Sequence, residues 1–171
     1  MTFQEDLDTH IRARYPVLFL ASFEEARVER LLRSIAEARQ KRVIVWSATR
    51  GFVEGDKTDP EAADLGEAFS RIVKSATAGE KVLYLMKDLH RFLGPNDNAT
   101  YRLLRDAAQD LRGSYCTIVI LAPELKIPKE LEKVVTVLDV PYPARAELAE
   151  VMTRVVQAAR TQNESVVVPD E

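Results

Sequence analysis

Five short apolar runs alternate with amphipathic stretches along this chain of 171 residues. The runs are PVLFLAS at 16–22, RVIVW at 42–46, KVLYLMKD at 81–88, CTIVILAP at 116–123 and VVTVLDVP at 134–141. Runs that are apolar throughout are typical of strands covered on both faces. Because strands that alternate with helices are joined by right-handed crossovers, the sequence predicts an α/β fold, a three-layer αβα sandwich around a five-stranded parallel sheet.

Capping residues indicate where the helices between the runs begin. The expected caps are Thr2, with Glu5 completing a capping box, Ser22, Asp59, followed by Pro60, and Asn98 or a neighbour. The last predicted helix, at 143–160, repeats its apolar residues at helical spacing, so we expect them to face the core. These residues are Leu148, Val151, Met152 and Val155.

Two stretches without apolar periodicity are predicted to be loops. SATRGFVEGDKTD at 47–59 is rich in glycine and charge, and LHRFLGPNDN at 89–98 contains the breakers Gly94 and Pro95. Both predicted loops follow the carboxyl end of a predicted strand.

Composition argues against several classes of function. The net charge of −3 provides no basic field that would attract nucleic acid. The single cysteine, Cys116, excludes an internal disulfide, and two histidines, His10 and His90, are too few for a zinc cluster with it. No apolar run is long enough to span a bilayer, and the N-terminus is acidic where a signal peptide would be basic. We therefore expect a cytoplasmic protein that binds neither membrane nor nucleic acid.

The turn after the first run lies where many α/β proteins hold a phosphate. A phosphate loop needs small residues, a lysine for the outer phosphate oxygens and a hydroxyl for magnesium. The segment ASFEEARVERLL at 21–32 has no glycine and no lysine. Glu24 and Glu25 place two negative charges at the helix N-terminus, where they satisfy the helix dipole. Ser22, Glu24 and Glu25 therefore predict an ordinary capped helix.

The third run ends in Lys87 and Asp88. An acidic residue at this place is the metal ligand of magnesium-dependent nucleotide enzymes, and a second carboxylate normally follows to polarise the attacking water. The next residue here is Leu89, and Lys87 is expected to neutralise Asp88. The sequence therefore predicts that Asp88 caps a turn or pairs with a basic neighbour. It predicts no catalytic residues and no metal site.

Three other residues with chemical potential are predicted to be structural. His90 has no nucleophile to activate and is expected to be a solvent-exposed residue or a turn residue. Cys116 opens a buried run and Trp46 ends one, so both are expected in or near the core.

Arginines recur on the polar side of the fourth predicted helix and on its approach. They are Arg91, Arg102, Arg105 and Arg112. They form either a solvated face or an interface for a carboxylate-rich surface, and the acidic stretch 54–67 is a candidate contact patch of the opposite sign. Both interpretations stay open.

The order of these elements resembles the core of an AAA+ ATPase. In that family a segment similar to KIPKELEKVVTVLDVPYPARAELAEVM at 126–152 leads from the fourth strand through the fifth into the lid. More narrowly, IRARYPVLFLASFEEARVERLL, MKDLHRFL and TIVILAPELKIPKELEKVVTVLDVPYP resemble the N-terminal region of the Ycf-type AAA ATPases, a plastid and bacterial group. The resemblance covers about residues 3 to 160.

The resemblance implies a strand order of five-one-four-three-two. By position, residues 21–27 correspond to the phosphate loop, 87–89 to the metal-and-base pair and 121–123 to the polar sensor; apart from Asp88, none keeps the family's residue type. The implied organisation is a degenerate core at 1–143, the start of a lid at 144–160 and a polar tail at 161–171 where a longer chain has been cut.

The resemblance also implies a parent protein in which a competent AAA domain follows this one. ATP and Mg²⁺ would then be cofactors of the parent, with none expected in this fragment. The implied partners are the C-terminal AAA domain of the same chain and neighbouring subunits of a homo-oligomeric ring. The fragment is expected to be a non-catalytic module for assembly, regulation or partner binding.

Two other functions are considered. A weak nucleotide hydrolase would use Asp88 for Mg²⁺ and the backbone amides at the Ser22 turn for phosphate, but the missing glycines and lysine argue against it. A phosphoacceptor receiver domain would need an acidic pair after the first strand and a lysine after the fifth, where this chain has LAS and DVPYP. The receiver interpretation is discarded.

Overall fold

The computed structural model describes residues 2–94 and 97–162. The chain divides into two compact units, of which the first ends at Val140 and the second begins at Pro141. The lid predicted at 144–160 falls in the second unit and stays a prediction. Most of the predicted polar tail, 163–171, lies outside the described residues.

The first unit alternates strands and helices. Its elements are α1 (Phe3–Arg12), β1 (Val17–Ala21), α2 (Glu25–Ala38), β2 (Arg42–Ser47), β3 (Gly51–Glu54), β4 (Lys57–Asp59), α3 (Leu65–Thr77), β5 (Val82–Lys87), α4 (Asn98–Asp110), β6 (Thr117–Ala122) and β7 (Thr136–Asp139). Short 3-10 helices cover Pro60–Ala63, Leu89–Phe92 and Lys129–Leu131. The second unit contains α5 (Arg145–Gln162). No helix in the described part of the chain combines the length and apolar character that crossing a bilayer requires.

The strands form one mixed sheet in the order β4-β3-β2-β5-β6-β1-β7. The five parallel strands, β7-β1-β6-β5-β2, have the predicted order. The prediction of a purely parallel five-stranded sheet is nevertheless wrong, because β3 and β4 add an antiparallel hairpin at one edge. This hairpin occupies the stretch that was predicted to be a loop.

The hairpin escaped prediction because one large apolar side chain, rather than a periodic run, anchors it. Phe52 of β3 is 8% exposed and packs on Tyr84 of β5, with ring centroids 5.5 Å apart. The indole Nε1–H of the fully buried Trp46 donates to the carbonyl oxygen of Ala62 at 2.7 Å and ties the segment after β4 to β2. Trp46 is thus in the core, as predicted.

Alternate residues of the central strands face two separate hydrophobic cores. Val17 and Phe19 of β1 pack in the core that includes α3 and α4. Leu18 and Leu20 of the same strand pack in the core that includes α1 and α2. The observed arrangement is three layers, with helices on both faces of the sheet.

Helix starts agree with the predicted caps in two cases, at α1 and at α4, where the cap was predicted at Asn98 or a neighbour. The capping box of Thr2 and Glu5 is present at α1. The predicted cap Ser22 is wrong, since α2 begins at Glu25 and the hydroxyl oxygen of Ser22 accepts from the Glu24 amide within the preceding turn. The N-cap of α4 is Asp97.

The start of α3 also differs from the prediction. Pro60 begins a short 3-10 helix, and α3 begins only at Leu65, after Asp64. The Asp64 carboxylate accepts a hydrogen bond from the Glu67 amide at 2.9 Å and so takes the role assigned to Asp59.

Within the second unit, taken by itself, the apolar face of α5 is exposed, and the prediction that it faces a core stays a prediction. The exposed fractions of its apolar side chains are 51% for Leu148, 41% for Val151, 59% for Met152 and 58% for Val155. Among the described residues the second unit contains a single helix, and a single helix cannot bury a face within its own unit.

We predict that two glycines of the hairpin differ in their tolerance of a side chain. Both have positive φ, but a Cβ on Gly51 would lie 2.9 Å from the Ala63 amide nitrogen, whereas a Cβ on Gly55 would meet open space. Gly55→Ala should lower the free energy of unfolding by about 1 kcal/mol through backbone strain alone. Gly51→Ala should lower it by about 3 kcal/mol or more, since strain and a clash with rigid backbone add. Urea unfolding followed by circular dichroism measures both, and equal losses would contradict the prediction.

Candidate functional site

The carboxyl ends of three adjacent parallel strands bring the predicted site residues together. Ala21 of β1 is paired with Ala122 of β6, and Lys87 of β5 with Leu121 of β6. Just beyond these pairs, the Ser22 amide donates to the Ala122 carbonyl oxygen at 2.8 Å and the Asp88 amide to the Leu121 carbonyl oxygen at 2.9 Å. The turn after β1 and the end of β5 therefore lie at one edge of the sheet, which we call the carboxyl edge.

In the turn after β1, the backbone amides of Ser22 and Glu24 donate within the protein. In a phosphate loop such amides point at the ligand. The Glu24 amide donates to the Ser22 hydroxyl oxygen at 3.0 Å, and the Ser22 amide is used in the sheet. The Glu24 carboxylate pairs with Arg27 at 2.9 Å. The side chain of Phe23, which lies between Ser22 and Glu24 in the sequence, is 83% exposed. The turn presents an aromatic ring and carboxylates to solvent, where a phosphate site presents amides.

Lys87 forms ion pairs with two glutamates of α2. Its Nζ lies 3.0 Å from Glu25 Oε2 and 3.2 Å from Glu29 Oε2. The prediction that Lys87 neutralises Asp88 is wrong, because Lys87 still follows the strand alternation that directs Leu83 and Leu85 toward the core with α2. Glu29 also accepts from Arg33 at 2.6 Å, so its carboxylate is held from both sides.

The pKa values of Glu29 and Lys87 reflect this pairing. Burial raises the pKa of Glu29, but hydrogen bonds from Arg33 and Lys87 outweigh it and hold that pKa below the ordinary 4.5. Burial lowers the pKa of Lys87, yet hydrogen bonds to Glu25 and Glu29 raise it above the ordinary 10.5. Both groups therefore stay charged across the neutral range.

Asp88 leaves the strand with an unusual backbone conformation. Its φ of 56° and ψ of 21° are left-handed, and it precedes the 3-10 helix Leu89–Phe92 without a side-chain capping bond. Its side chain is 56% exposed. Leu89, where a second carboxylate would be needed, is fully buried. Within residues 2–94 and 97–162, no group of three or more metal-ligating side chains comes together.

Magnesium and a nucleotide do not fit the residues at the carboxyl edge. A triphosphate needs a cation and converging amides, and magnesium needs a carboxylate close to the phosphates. The only cation that β5 offers at this edge is the Lys87 ammonium, and Glu25 and Glu29 already form ion pairs with it. The two glutamates belong to the helix whose N-terminus would have to accept the phosphates. The positions matched to the polar sensor include Leu121 and Ala122, both buried apolar residues.

His90 lies in the 3-10 helix Leu89–Phe92, which agrees with the prediction of a turn residue, but it is buried rather than exposed to solvent. Its side chain is 3% exposed, and Nδ1 has no hydrogen-bond partner among the described residues. Oδ1 of Asp88 lies 3.9 Å from Nδ1, beyond hydrogen-bond distance. The apolar residues Leu89 and Leu93 on either side, both buried, are the sequence signal that His90 lies in a packed turn.

Ion pairs within the chain involve part of each of the two charged patches weighed from sequence. The 70% exposed Arg102 pairs with Asp106 at 2.6 Å. In the acidic stretch, Arg71 binds carboxylates of three residues, which are Asp59, Glu61 and Glu67. Arg91 and Arg105 are exposed. That Arg91, Arg102 and Arg105 contact a partner stays a prediction. Cys116 is buried, as expected.

We predict that Lys87→Met lowers stability in a pH-dependent way. At pH 7 the free energy of unfolding should fall by about 2 kcal/mol, because two partly buried carboxylates lose their cation. The wild-type advantage should vanish as pH falls below 4.5 through the depressed Glu29 pKa, and as pH rises above 10.5 through the raised Lys87 pKa. Urea titrations at several pH values measure this. Arg102→Met, which removes an exposed pair, should cost less than about 0.5 kcal/mol; equal losses would refute the assignment.

We predict that His90 titrates below the ordinary histidine value. Burial lowers its pKa below 6.5, although the Asp88 charge acts in the opposite direction. The folded protein then binds fewer protons than the unfolded chain, so the free energy of unfolding should decrease as pH falls from 6.5 through the folded pKa. NMR of the His10→Gln variant, in which His90 is the sole histidine, measures the pKa directly. A value at or above 6.5 would contradict the burial seen in the structure.

Comparisons with solved structures find a similar fold in other proteins. The chain aligns with C. elegans PCH-2 at a TM-score of 0.64 and 13% identity, covering 98% of this chain and 49% of that one. It aligns with the Walker-type ATPase PABY2304 of Pyrococcus abyssi at a TM-score of 0.53 and 12% identity, covering 98% and 59%. At these identities the likeness concerns the fold.

Sequence comparisons identify relatives. The chain is 31% identical over 156 residues to the uncharacterized AAA domain-containing protein ycf46 of Guillardia theta, covering 91% of this chain and 30% of the relative. The Trieres chinensis protein of the same description is 30% identical over 159 residues, covering 92% and 32%. The chain thus spans about a third of the length of these curated relatives. The family described as the N-terminal domain of SpoVK-like AAA ATPases matches residues 3–140. On this evidence the chain belongs to the SpoVK-like AAA ATPase N-terminal domain family.

Proposed function

We propose that this chain is a non-catalytic AAA-type domain that serves assembly, regulation or partner binding for an ATP-hydrolysing AAA domain in the same protein. The relatives support a longer protein, since they are about three times the length of the matched region and are described as AAA domain-containing. The parent would bind ATP and Mg²⁺, and this domain would bind neither.

The ion-pair cluster of Lys87 with Glu25 and Glu29 carries this proposal. It lies at the carboxyl edge between β5 and α2, at the position that the resemblance assigns to phosphates and magnesium. Phosphoryl transfer depends on positioning the phosphates and neutralising their charge. A lysine already neutralised by two carboxylates contributes little to either. The positive charge of Lys87 therefore stabilises the fold through its ion pairs and is not available to bind phosphate.

An AAA-type domain can keep its contacts after losing its chemistry. Chemistry depends on a few polar groups at the carboxyl edge, whereas docking depends on the shape of whole helical and sheet surfaces. We therefore propose as partners the AAA domain that follows in the parent and neighbouring copies of the parent in a homo-oligomeric ring. The proposed location is the cytoplasm.

The alternative of a weak magnesium-dependent hydrolase finds little support in the geometry. Asp88 would have to hold the metal, but its backbone is left-handed and its side chain is half exposed beyond the end of β5. The amides of Ser22 and Glu24, which would hold the phosphate, donate within the protein.

We predict that this domain does not bind ATP with magnesium. Isothermal titration at ligand concentrations of about 1 mM should show no heat beyond dilution, which corresponds to binding weaker than about 4 kcal/mol. A catalytically competent AAA+ ATPase in the same buffer is the positive control. Asp88→Ala should leave the trace unchanged. A saturable heat in the wild-type domain that Asp88→Ala abolishes would refute the proposal and favour the hydrolase.

A further inference from the structure

A cluster of cations surrounds one tyrosine at the opposite edge of the sheet, where the parallel strands begin. Arg14 precedes β1, Lys41 precedes β2, Lys81 precedes β5 and Tyr115 precedes β6. We call these four residues the Tyr115 cluster. Since amino ends of parallel strands meet at one edge, residues far apart in sequence are gathered here by the topology alone.

The geometry of the Tyr115 cluster is defined by three cation–ring contacts. The Arg14 guanidinium carbon lies 4.3 Å from the Tyr115 ring centroid. The ammonium nitrogens of Lys81 and Lys41 lie 5.9 and 6.0 Å from the same centroid. All three are within the range of cation–π attraction. The tyrosine itself is 44% exposed, so the cluster is open to solvent.

Backbone contacts hold two of the cations in place. Arg14, with a left-handed φ of 59°, donates from Nη1 to the Gly113 carbonyl oxygen at 2.7 Å. Lys41 donates from Nζ to the Tyr115 carbonyl oxygen. These bonds orient the cations around the ring without neutralising their charge.

The three cations of the Tyr115 cluster have no carboxylate partner in the described part of the chain. Other basic residues do pair with carboxylates of a different element, for example Arg39 with Asp8 and Lys87 with Glu29. Glu80 directly precedes Lys81, but its carboxylate is bound to Arg42. The lack of a partner therefore does not reflect a lack of carboxylates, because the chain has 27 acidic residues against 24 lysines and arginines.

Gathering these charges costs stability. Burial lowers the pKa of Lys41, and the positive charges of Lys81 and Arg14 act in the same direction. Like charges at this spacing repel each other, and an internal carboxylate at any one of the positions would remove the repulsion. A surface that keeps uncompensated cations around an aromatic ring is suited to an anionic partner outside the chain.

We propose that the Tyr115 cluster binds a carboxylate-rich segment of a protein partner. Tyrosine and arginine are enriched where protein surfaces meet, and an exposed ring rimmed by cations fits acidic side chains better than an enclosed small molecule. Stacking by a nucleobase is disfavoured, because Arg14 already covers the ring and the chain has a net charge of −3. This inference rests on the proposed binding role, but it concerns the edge of the sheet opposite the one that fails to fit nucleotide.

The test is the fluorescence anisotropy of a labelled ten-residue polyglutamate peptide titrated with the domain. Binding should be measurable at about 20 mM salt and should weaken at least about tenfold at about 300 mM, because exposed charges are screened. Lys81→Glu should weaken binding by about tenfold or more at low salt. Arg50→Glu is the matched control, since it makes the same charge change at an exposed residue after β2, at the carboxyl edge, and should change affinity less than about twofold.

Thermal unfolding of the same variants separates loss of a site from loss of the fold. Lys81→Glu should melt at or above the wild-type temperature, because the new carboxylate lies near Arg14 and Lys41 and relieves their repulsion. If Lys81→Glu fails to fold, Lys81→Gln replaces it, with the same expected direction for binding.

Three results would overturn the inference. They are no polyglutamate binding by the wild type, equal binding by Lys81→Glu and wild type, and tighter binding of single-stranded oligothymidylate than of polyglutamate. Binding of ATP would instead refute the proposed function and leave this inference standing.

Discussion

The burial of β1 on both faces and along both edges is the constraint on which the rest of the structure depends. β1 pairs with β6 on one side and β7 on the other, and its residues Val17 to Leu20 are fully buried. A strand buried in this way needs helices above and below it, and parallel neighbours need crossovers. The carboxyl and amino ends of the strands are thereby collected at two opposite edges, and each edge brings distant residues together.

The two edges use charge in opposite ways. At the carboxyl edge, Lys87 forms ion pairs with Glu25 and Glu29, which neutralise its positive charge within the chain. At the amino edge, the cations around Tyr115 have no carboxylate partner among the described residues. Repulsion among cations that the chain itself does not compensate favours binding of an anionic group from another molecule, as we propose for the Tyr115 cluster.

Sequence patterns predicted the five parallel strands, and the family resemblance implied their order, but both missed the hairpin of β3 and β4. Continuous apolar runs are a strong signal for buried strands. The hairpin is instead anchored by Phe52, which packs on Tyr84, 32 positions away in the sequence. A local pattern carries no information about a contact of that separation.

What the sequence by itself determined is the alternation of strands and helices, the capping box at Thr2 and the lack of a glycine-rich loop and lysine after β1. These are properties of neighbouring residues, and local chemistry is enough to decide them. Tertiary structure alone decided that Lys87 binds Glu25 and Glu29 rather than Asp88, and that three cations meet at Tyr115. Those contacts depend on strand register and crossover geometry, which bring together residues that no local spacing relates.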